Sequence, residues 1–463
     1  MHSHVMLCDR TNVLLMKKKA LFIPASIRSH VLPSFFLADL FSKDYDVTYA
    51  VTNKILEESV IKNGFKAQQI SKYKVGANLE RTFIEAQGKK GSFLQLVQCY
   101  FTNALYWHRK REIDRLVECI KPVVVVIDIY NSTDFIFFHS YYKKINVLFF
   151  NPMPSTYKVD GFPIVSENVW LRDNFSIVTN KRTKLSDFIK APQEPLLDWL
   201  SQRQLRELIK SSKVPVEFEF VKNKFVKTFR NVPELLLLPL EFEFSPIVKK
   251  DYQHYLGLCQ RVGRIDTELD NTFDDKWKII LEKKQEGQRI IYCSFGTFFK
   301  AADPRMLDFI NKVLDAIATI PNTFLVCSVN KYVSRTLLTK RKNIDNALFF
   351  SRVPQLKVLE IADIFITHGG LGGMKESIFH KVPMLVYPLD PHYDQNGNSL
   401  KVEHHGIGLR GNFIYEQTKY MQAKIKKLLS DRMYKKNIIE FNAKVNNTYT
   451  PSYHKELLDR LLT

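Results

Sequence analysis

Cysteine is scarce in this chain of 463 residues, and long apolar runs are missing altogether. The six cysteines, Cys8, Cys99, Cys119, Cys259, Cys293 and Cys327, show no C-x-x-C spacing, which argues against a zinc ribbon or a thioredoxin-like redox pair. Several lie in apolar runs, so buried free thiols are expected, as suits a reducing cytoplasm. No apolar run approaches the roughly 18 residues that cross a bilayer; Val123–Ile127 and Leu235–Leu238 are the best candidates and are far too short. A secretory signal is not expected, because Lys17, Lys18 and Lys19 follow the short apolar patch instead of preceding it. The dinucleotide spacing G-x-G-x-x-G and the P-loop spacing are absent as well. The Asp-x-Asp triplet, Asp44-Tyr45-Asp46, precedes a strand instead of ending one, so no metal is expected.

What the chain does have is size and positive charge. Its length allows two domains with separate cores, and 45% apolar residues with 25% charged is a globular composition. Lysine and arginine exceed aspartate and glutamate by 68 to 48, a formal charge of +20. These cations are spread along the chain without a basic run interleaved with stacking aromatics, so no nucleic-acid partner is expected. A solvated basic surface ranks first as the explanation and peripheral contact with an anionic membrane second.

The N-terminal half alternates strands and helices. Ala20–Pro24, Asp46–Val51, Val123–Ile127 and Asn146–Asn151 read as strands; Val31–Phe41 and Ser92–Ile120 read as helical, the latter as one helix or two. Such alternation predicts a parallel sheet with helices on both faces, where ligands sit beyond the carboxyl ends of the strands. His30 lies in the loop after the first strand, and Asp128 ends the Val123–Ile127 strand. Singly, each is better read as a capping or surface residue. Together they can form a base and its orienter, a neutral imidazole whose tautomer a carboxylate fixes. Asp134 and His139 are less well placed. Residues 152–235 are irregular, and Phe218, Phe220, Phe225 and Phe229 are expected in the core.

The C-terminal half is organised around Val353–Gly408. Ile361–Ile366 reads as a buried parallel strand. It runs into His368-Gly369-Gly370-Leu371-Gly372-Gly373, with a helix expected from about Met374. The glycines admit a ligand close to the main chain, and the N–H groups of the helix's first turn suit a phosphate or diphosphate. Val382–Pro388 reads as the next strand and Asp390–Asn398 as a polar loop at the sheet's carboxyl edge. Upstream, Arg289–Thr297 is a strand and turn, Arg305–Ile317 a helix, and Thr323–Ser328 and Ala347–Phe350 are strands.

Pro354-Gln355, Thr367-His368-Gly369-Gly370, Glu376, Val382-Pro383-Met384 and Asp394-Gln395 stand in an ordered series. That series resembles the nucleotide-sugar signature of the family 1 glycosyltransferases, the UDP-glycosyltransferase and macrolide glycosyltransferase group. Two positions depart from the pattern: Gly372-Gly373 stands where Asn-Ser or Gly-Ser is common, and Arg352 where an aromatic is usual. The resemblance implies an α/β protein of GT-B architecture, with two facing Rossmann-like doubly wound domains and a cleft between them. The expected boundaries are a dispensable leader at 1–15 with a second start at Met16, an acceptor domain at 16–244 and a linker at 245–285. A nucleotide-sugar domain at 286–440 and a C-terminal helix at 441–463 packing back on the first domain complete the expectation.

The resemblance also implies roles. His30 and Asp128 carry over as catalytic base and partner, with Ser29 where a glycine is usual. Ser294, Gly296, Thr297, His368, Gly370, Gly372 and Gly373 would face the diphosphate. Glu376 would hold the ribose diol, Arg352, Val353 and Gln355 the base, and Asp394 and Gln395 the sugar hydroxyls. Expected, then, is an inverting, metal-independent hexosyltransferase of the cytoplasm. It would use a UDP-sugar before other nucleotide sugars, no further cofactor, and a small hydrophobic acceptor. Alternatives are a membrane lipid or isoprenoid acceptor, a non-catalytic nucleotide-sugar-binding auxiliary, and a nucleotide-sugar epimerase.

Overall fold

Val-Val-Val-Ile-Asp at 124–128 is buried at every position, and the layout of the first half follows from that. A run of β-branched residues with no polar face can be satisfied only inside a parallel sheet covered on both sides. The computed structural model describes residues 17–141, 144–157, 159–163, 194–222, 226–296, 303–341, 344–389 and 394–462. In it, β1 (Lys18–Ile23), β2 (Tyr45–Val51), β3 (Lys66–Gln69), β4 (Val124–Asp128) and β5 (Asn146–Asn151) form a parallel sheet. A short antiparallel hairpin, β6 (Phe220–Lys222) with β7 (Lys227–Phe229), stands apart from it. The sheet is completed by β8 (Glu234–Leu236) and β9 (Gln253–Tyr255), in the order β3-β2-β1-β4-β5-β8-β9.

The second sheet is equally parallel. It comprises β10 (Arg289–Ser294), β11 (Thr323–Ser328), β12 (Ala347–Phe350), β13 (Ile364–Thr367), β14 (Met384–Val386) and β15 (Gly408–Arg410), in the order β12-β11-β10-β13-β14-β15. Each sheet reverses direction of growth beside its first strand, between β1 and β4 and between β10 and β13. Those switch points are where open α/β sheets leave a crevice. Both sheets are sandwiched: Leu21, Val125 and Phe149 face one apolar cluster of the first sheet, while Ala20, Val126 and Phe150 face another. Phe218 and Phe229 belong to the first of these clusters and Phe220 packs against it; Phe225 lies outside the described residues.

Several boundaries differ from the expectation. Ser92–Ile120 does not depart, taking the two-helix form of its expectation as Phe93–Phe101 and Ala104–Ile120, broken where Asn103 takes a left-handed conformation at φ 52°. The strand expected at Ile361–Ile366 begins only at Ile364, because a helix over Gln355–Ile361 precedes it and is capped by Ala362. The next helix starts at Leu371 and runs to Phe379, so Gly372 and Gly373 lie in its first turn and not before it. Gln395 opens a helix to His404 where a loop was expected. Within the stretch expected to link the halves, β9 is the seventh strand of the first sheet and Phe273–Gln285 is a helix. The last helix, Pro451–Leu462, sets Leu457 and Leu458 into the core of the first sheet. Tyr453 Oη donates to the Tyr255 carbonyl at 2.8 Å. Of the described cysteines, all are free; four are buried and Cys119 is exposed. Among the described residues no helix is long and apolar enough to cross a membrane.

Candidate active site

The switch point of the first sheet brings His30 and Asp128 together. His30 sits in the first turn of the helix Arg28–Phe41, directly after β1, and Asp128 closes the adjacent β4. His30 Nδ1 and Asp128 Oδ2 are 2.8 Å apart, and Asp128 is wholly buried. A carboxylate can only accept, so the proton of a neutral imidazole lies on Nδ1 and the lone pair on Nε2. Nε2 makes no hydrogen bond among the described residues. The other oxygen, Asp128 Oδ1, accepts from the Tyr130 main-chain N–H at 2.9 Å, and the Tyr130 ring stacks on the imidazole at 4.6 Å between centroids. Asp134 is committed elsewhere, to a buried pair with Arg109 at 2.6 Å. Neither it nor His139 joins the dyad.

The switch point of the second sheet collects the glycines. Gly296, at φ +62°, ends β10, and Gly370 caps the helix that follows β13. The His368 ring fills the space beside both: a Cβ on Gly370 would lie 2.6 Å from His368 Nε2, and one on Gly296 would lie 3.4 Å from Cε1. His368 Nδ1 is buried without a hydrogen-bond partner. Burial lowers His368 to about 4, the neighbouring Ser294 main chain offsetting only part of that, so the ring is neutral near pH 7. With the first-turn N–H groups of Leu371–Phe379 unsatisfied within the helix, neutral donors and a dipole are aimed at one spot. Nothing lies within 4 Å of where a Gly372 Cβ would stand. Ser294 is buried at the end of β10. Thr297 lies outside the described residues.

Glu376, in that same helix, is already engaged. Its Oε2 accepts from Gln355 Nε2 at 2.6 Å, and Gln355 Oε1 accepts from Tyr292 Oη at 3.1 Å. Its Oε1 is paired with Arg264 Nη1 at 2.5 Å, and Arg264 also pairs with Asp266 at 2.9 Å. Burial alone would lower the Arg264 guanidinium, but Glu376 and Asp266 outweigh it and hold it above its ordinary value. Arg352 is held by Glu268 at 3.4 Å, the same carboxylate that pairs with Arg28 at 2.6 Å. Thus residues 264–268 stitch the helix carrying His30 to the helix carrying Glu376. The Val353 side chain is buried in the core, leaving its main chain for contact.

Asp394 and Gln395 stand at the start of the helix Gln395–His404. Asp394 Oδ2 accepts from Asn398 Nδ2 at 2.8 Å, and the same amide reaches the Gly369 carbonyl at 2.9 Å. Gln395 Oε1 accepts from the Leu389 N–H at 2.8 Å. Burial raises the Asp394 carboxyl, while its hydrogen bond to Asn398 and the charge of His30 pull it back. That coupling puts the Asp394 carboxylate of the second half within electrostatic reach of the imidazole of the first. The residues not foreseen are Arg264, Asp266, Tyr130, Tyr292 and Asn398. Asn398 was discoverable, four residues past Asp394 on one helical face. Arg264 carries no local signal, since only the tertiary fold brings it to Glu376.

Two parallel doubly wound sheets with a site between their switch points define the class: this is a GT-B fold. The solved glycosyltransferase of kitacinnamycin superposes with a TM-score of 0.65 over 96% of this chain and 100% of that one, at 18% identity. Residues 244–446 match the family model described as UDP-glucoronosyl and UDP-glucosyl transferase, so this part of the chain is similar to the UDP-glycosyltransferases. Among curated relatives, UDP-glucosyltransferase YdhE of Bacillus subtilis (strain 168) is 27% identical over 176 residues, 38% of this chain and 42% of that protein. Human UDP-glucuronosyltransferase 1A1 is 30% identical over 275 residues, 58% of this chain and 48% of that protein. The chain therefore spans less than half the length of these relatives.

Proposed function

We propose that the protein is an inverting, metal-independent glycosyltransferase. It moves a hexose from a nucleoside-diphosphate sugar, a UDP-sugar before others, to a hydroxyl of a small hydrophobic acceptor in the cytoplasm. The observation that carries this reading is the His30–Asp128 pair at 2.8 Å, coupled across the cleft to Asp394. His30 Nε2 takes the proton of the acceptor hydroxyl, and the oxygen attacks the anomeric carbon from the face opposite the diphosphate. The bond from that carbon to the diphosphate oxygen breaks, and the nucleoside diphosphate leaves with the electron pair. Asp128 holds the tautomer and stabilises the imidazolium.

In the same reading the donor is held by the second half. Main-chain N–H groups around Gly370, Gly372 and Gly373, with Ser294, Gly296, Thr297 and His368, take the diphosphate, where negative charge grows as the bond breaks. Glu376 takes the ribose diol, which obliges the nucleotide to compete with Arg264 for Oε1. Val353, Gln355 and the Arg352 guanidinium bound the base, and Asp394 with Gln395 reads the sugar.

The test is release of nucleoside diphosphate from a panel of donors with a panel of hydroxylated acceptors. Wild type should turn over with at least one pair and His30→Ala should lose about 100-fold or more. A donor that binds but is never consumed would instead identify a binding auxiliary. A second reading, a lipid acceptor at an anionic membrane, is favoured by the charge of +20 and by exposed Leu94, Phe101 and Trp107. Co-sedimentation with anionic vesicles that vanishes at high salt would support it.

A further inference from the structure

Asp128 is wholly buried, and a buried carboxylate needs compensation beyond one amide and a neutral imidazole. A cation supplies it from behind. Lys74 lies in the loop after β3, and its Nζ donates to the Tyr130 carbonyl at 2.5 Å and to Asn131 Oδ1 at 2.6 Å. Tyr130 faces the dyad on its other side. Tyr130 gives its N–H to Asp128 and its ring to His30. The Asn131 amide donates to the carbonyls of Ile23 at 3.2 Å and Pro24 at 2.9 Å, where β1 ends and the approach to His30 begins.

We propose that Lys74 is a positioning residue that sets the base strength of His30 by acting through the Tyr130–Asn131 turn and the Asp128 carboxylate. This rests on the reading of His30 as the base. The charge has two effects of one sign. It stabilises Asp128 as the anion while His30 is neutral, and it opposes the imidazolium that forms when His30 takes a proton. Burial lowers the Lys74 ammonium to about 8, with Asp128 and Asp134 resisting and Arg109 assisting. Arg109 is no substitute, because its guanidinium is bound to Asp134 through two hydrogen bonds at 3.1 and 2.6 Å. His30 is faced by Asp128 directly and by Asp394 electrostatically, while Lys74 acts on Asp128.

The experiment is an NMR titration of ¹⁵N-histidine-labelled full-length protein, with the His30 signal assigned by its loss in His30→Gln. In Lys74→Met the His30 midpoint should rise by about one pH unit, the size expected for one cation at moderate distance and intermediate screening. Lys74→Arg, which keeps the charge, should stay within about 0.3 of wild type. A His30 midpoint equal in all three proteins overturns the proposal. If Lys74→Met does not fold, Lys74→Gln decides in its place: a His30 midpoint equal to that of wild type overturns the proposal. The titration needs no turnover, so a protein inactive with every donor would sink the functional reading without deciding this one.

Discussion

Replacing Asp128 with Asn removes a charge and almost no volume, yet the geometry predicts a large kinetic effect. Asp128 Oδ1 accepts from the Tyr130 N–H at 2.9 Å, and that donor must keep an oxygen. In Asp128→Asn the amide oxygen therefore stays toward Tyr130, and the amide nitrogen is turned toward His30 Nδ1, now 2.8 Å from a donor. The imidazole can meet that donor only as an acceptor, which moves its proton to Nε2, where the acceptor hydroxyl would have to be deprotonated. The base is present but in the wrong tautomer. A fall in kcat of ~10³–10⁴-fold follows, about 4–5.5 kcal/mol of barrier. Both hydrogen bonds are remade, but the buried Lys74 loses the anion it acts on, so folding should weaken by about 1–3 kcal/mol without being lost. Donor affinity should be unchanged, because Asp128 belongs to the first sheet. The assay is kcat and KM with a saturating acceptor, beside thermal unfolding with and without nucleotide. An Asp128→Asn protein that folds and retains more than about a tenth of wild-type kcat would refute the dyad.

Three further outcomes follow. Gly370→Ala puts a methyl 2.6 Å from His368 Nε2, so the ring must move; nucleotide affinity should fall about tenfold or more, at ~1–3 kcal/mol of stability. Gly372→Ala meets nothing within 4 Å and should stabilise the helix by up to about 1 kcal/mol; calorimetry that shows a stable fold with weakened nucleotide binding would report the approach of the phosphates to that turn. His405, whose Nε2 lies 3.1 Å from the Phe242 carbonyl, is lowered by burial to about 4. A histidine depressed on folding leaves stability intact above the unfolded value near 6.5 and costs progressively more as pH falls toward 4, up to about 3 kcal/mol. Denaturant titrations between pH 7 and 4 should show that fall, and His405→Gln should flatten it.

Much of this molecule is legible in its sequence, for reasons that differ by element. Interior strands announce themselves: Asn146–Asn151, Thr323–Ser328 and Ala347–Phe350 have the observed bounds, because buried parallel strands are short apolar runs with polar ends. His30 and Asp128 were placed by the same logic, since the position after a strand's carboxyl end fixes where a side chain can go. The glycine stretch was misread by three residues because Leu371-Gly-Gly has poor helix propensity and the strand before it supplies the cap. Gln355–Ile361 was missed as a helix because its seven residues are too few to show a 3.6-residue period. Arg264 and Lys74 were invisible for a deeper reason. Each is an ordinary cation in a loop, and its meaning comes from a partner 112 residues away in one case and 57 in the other.

The central claim is that a nucleoside diphosphate sits on the glycine turn with its ribose on Glu376. It is tested most directly by thermal unfolding of wild type and Glu376→Ala with UDP, dTDP, GDP and their sugar conjugates. The midpoint should rise with one of these bases, UDP before the others, and that rise should be lost or markedly reduced in Glu376→Ala. A midpoint unmoved by every nucleotide, or a rise equal in both proteins, would contradict it.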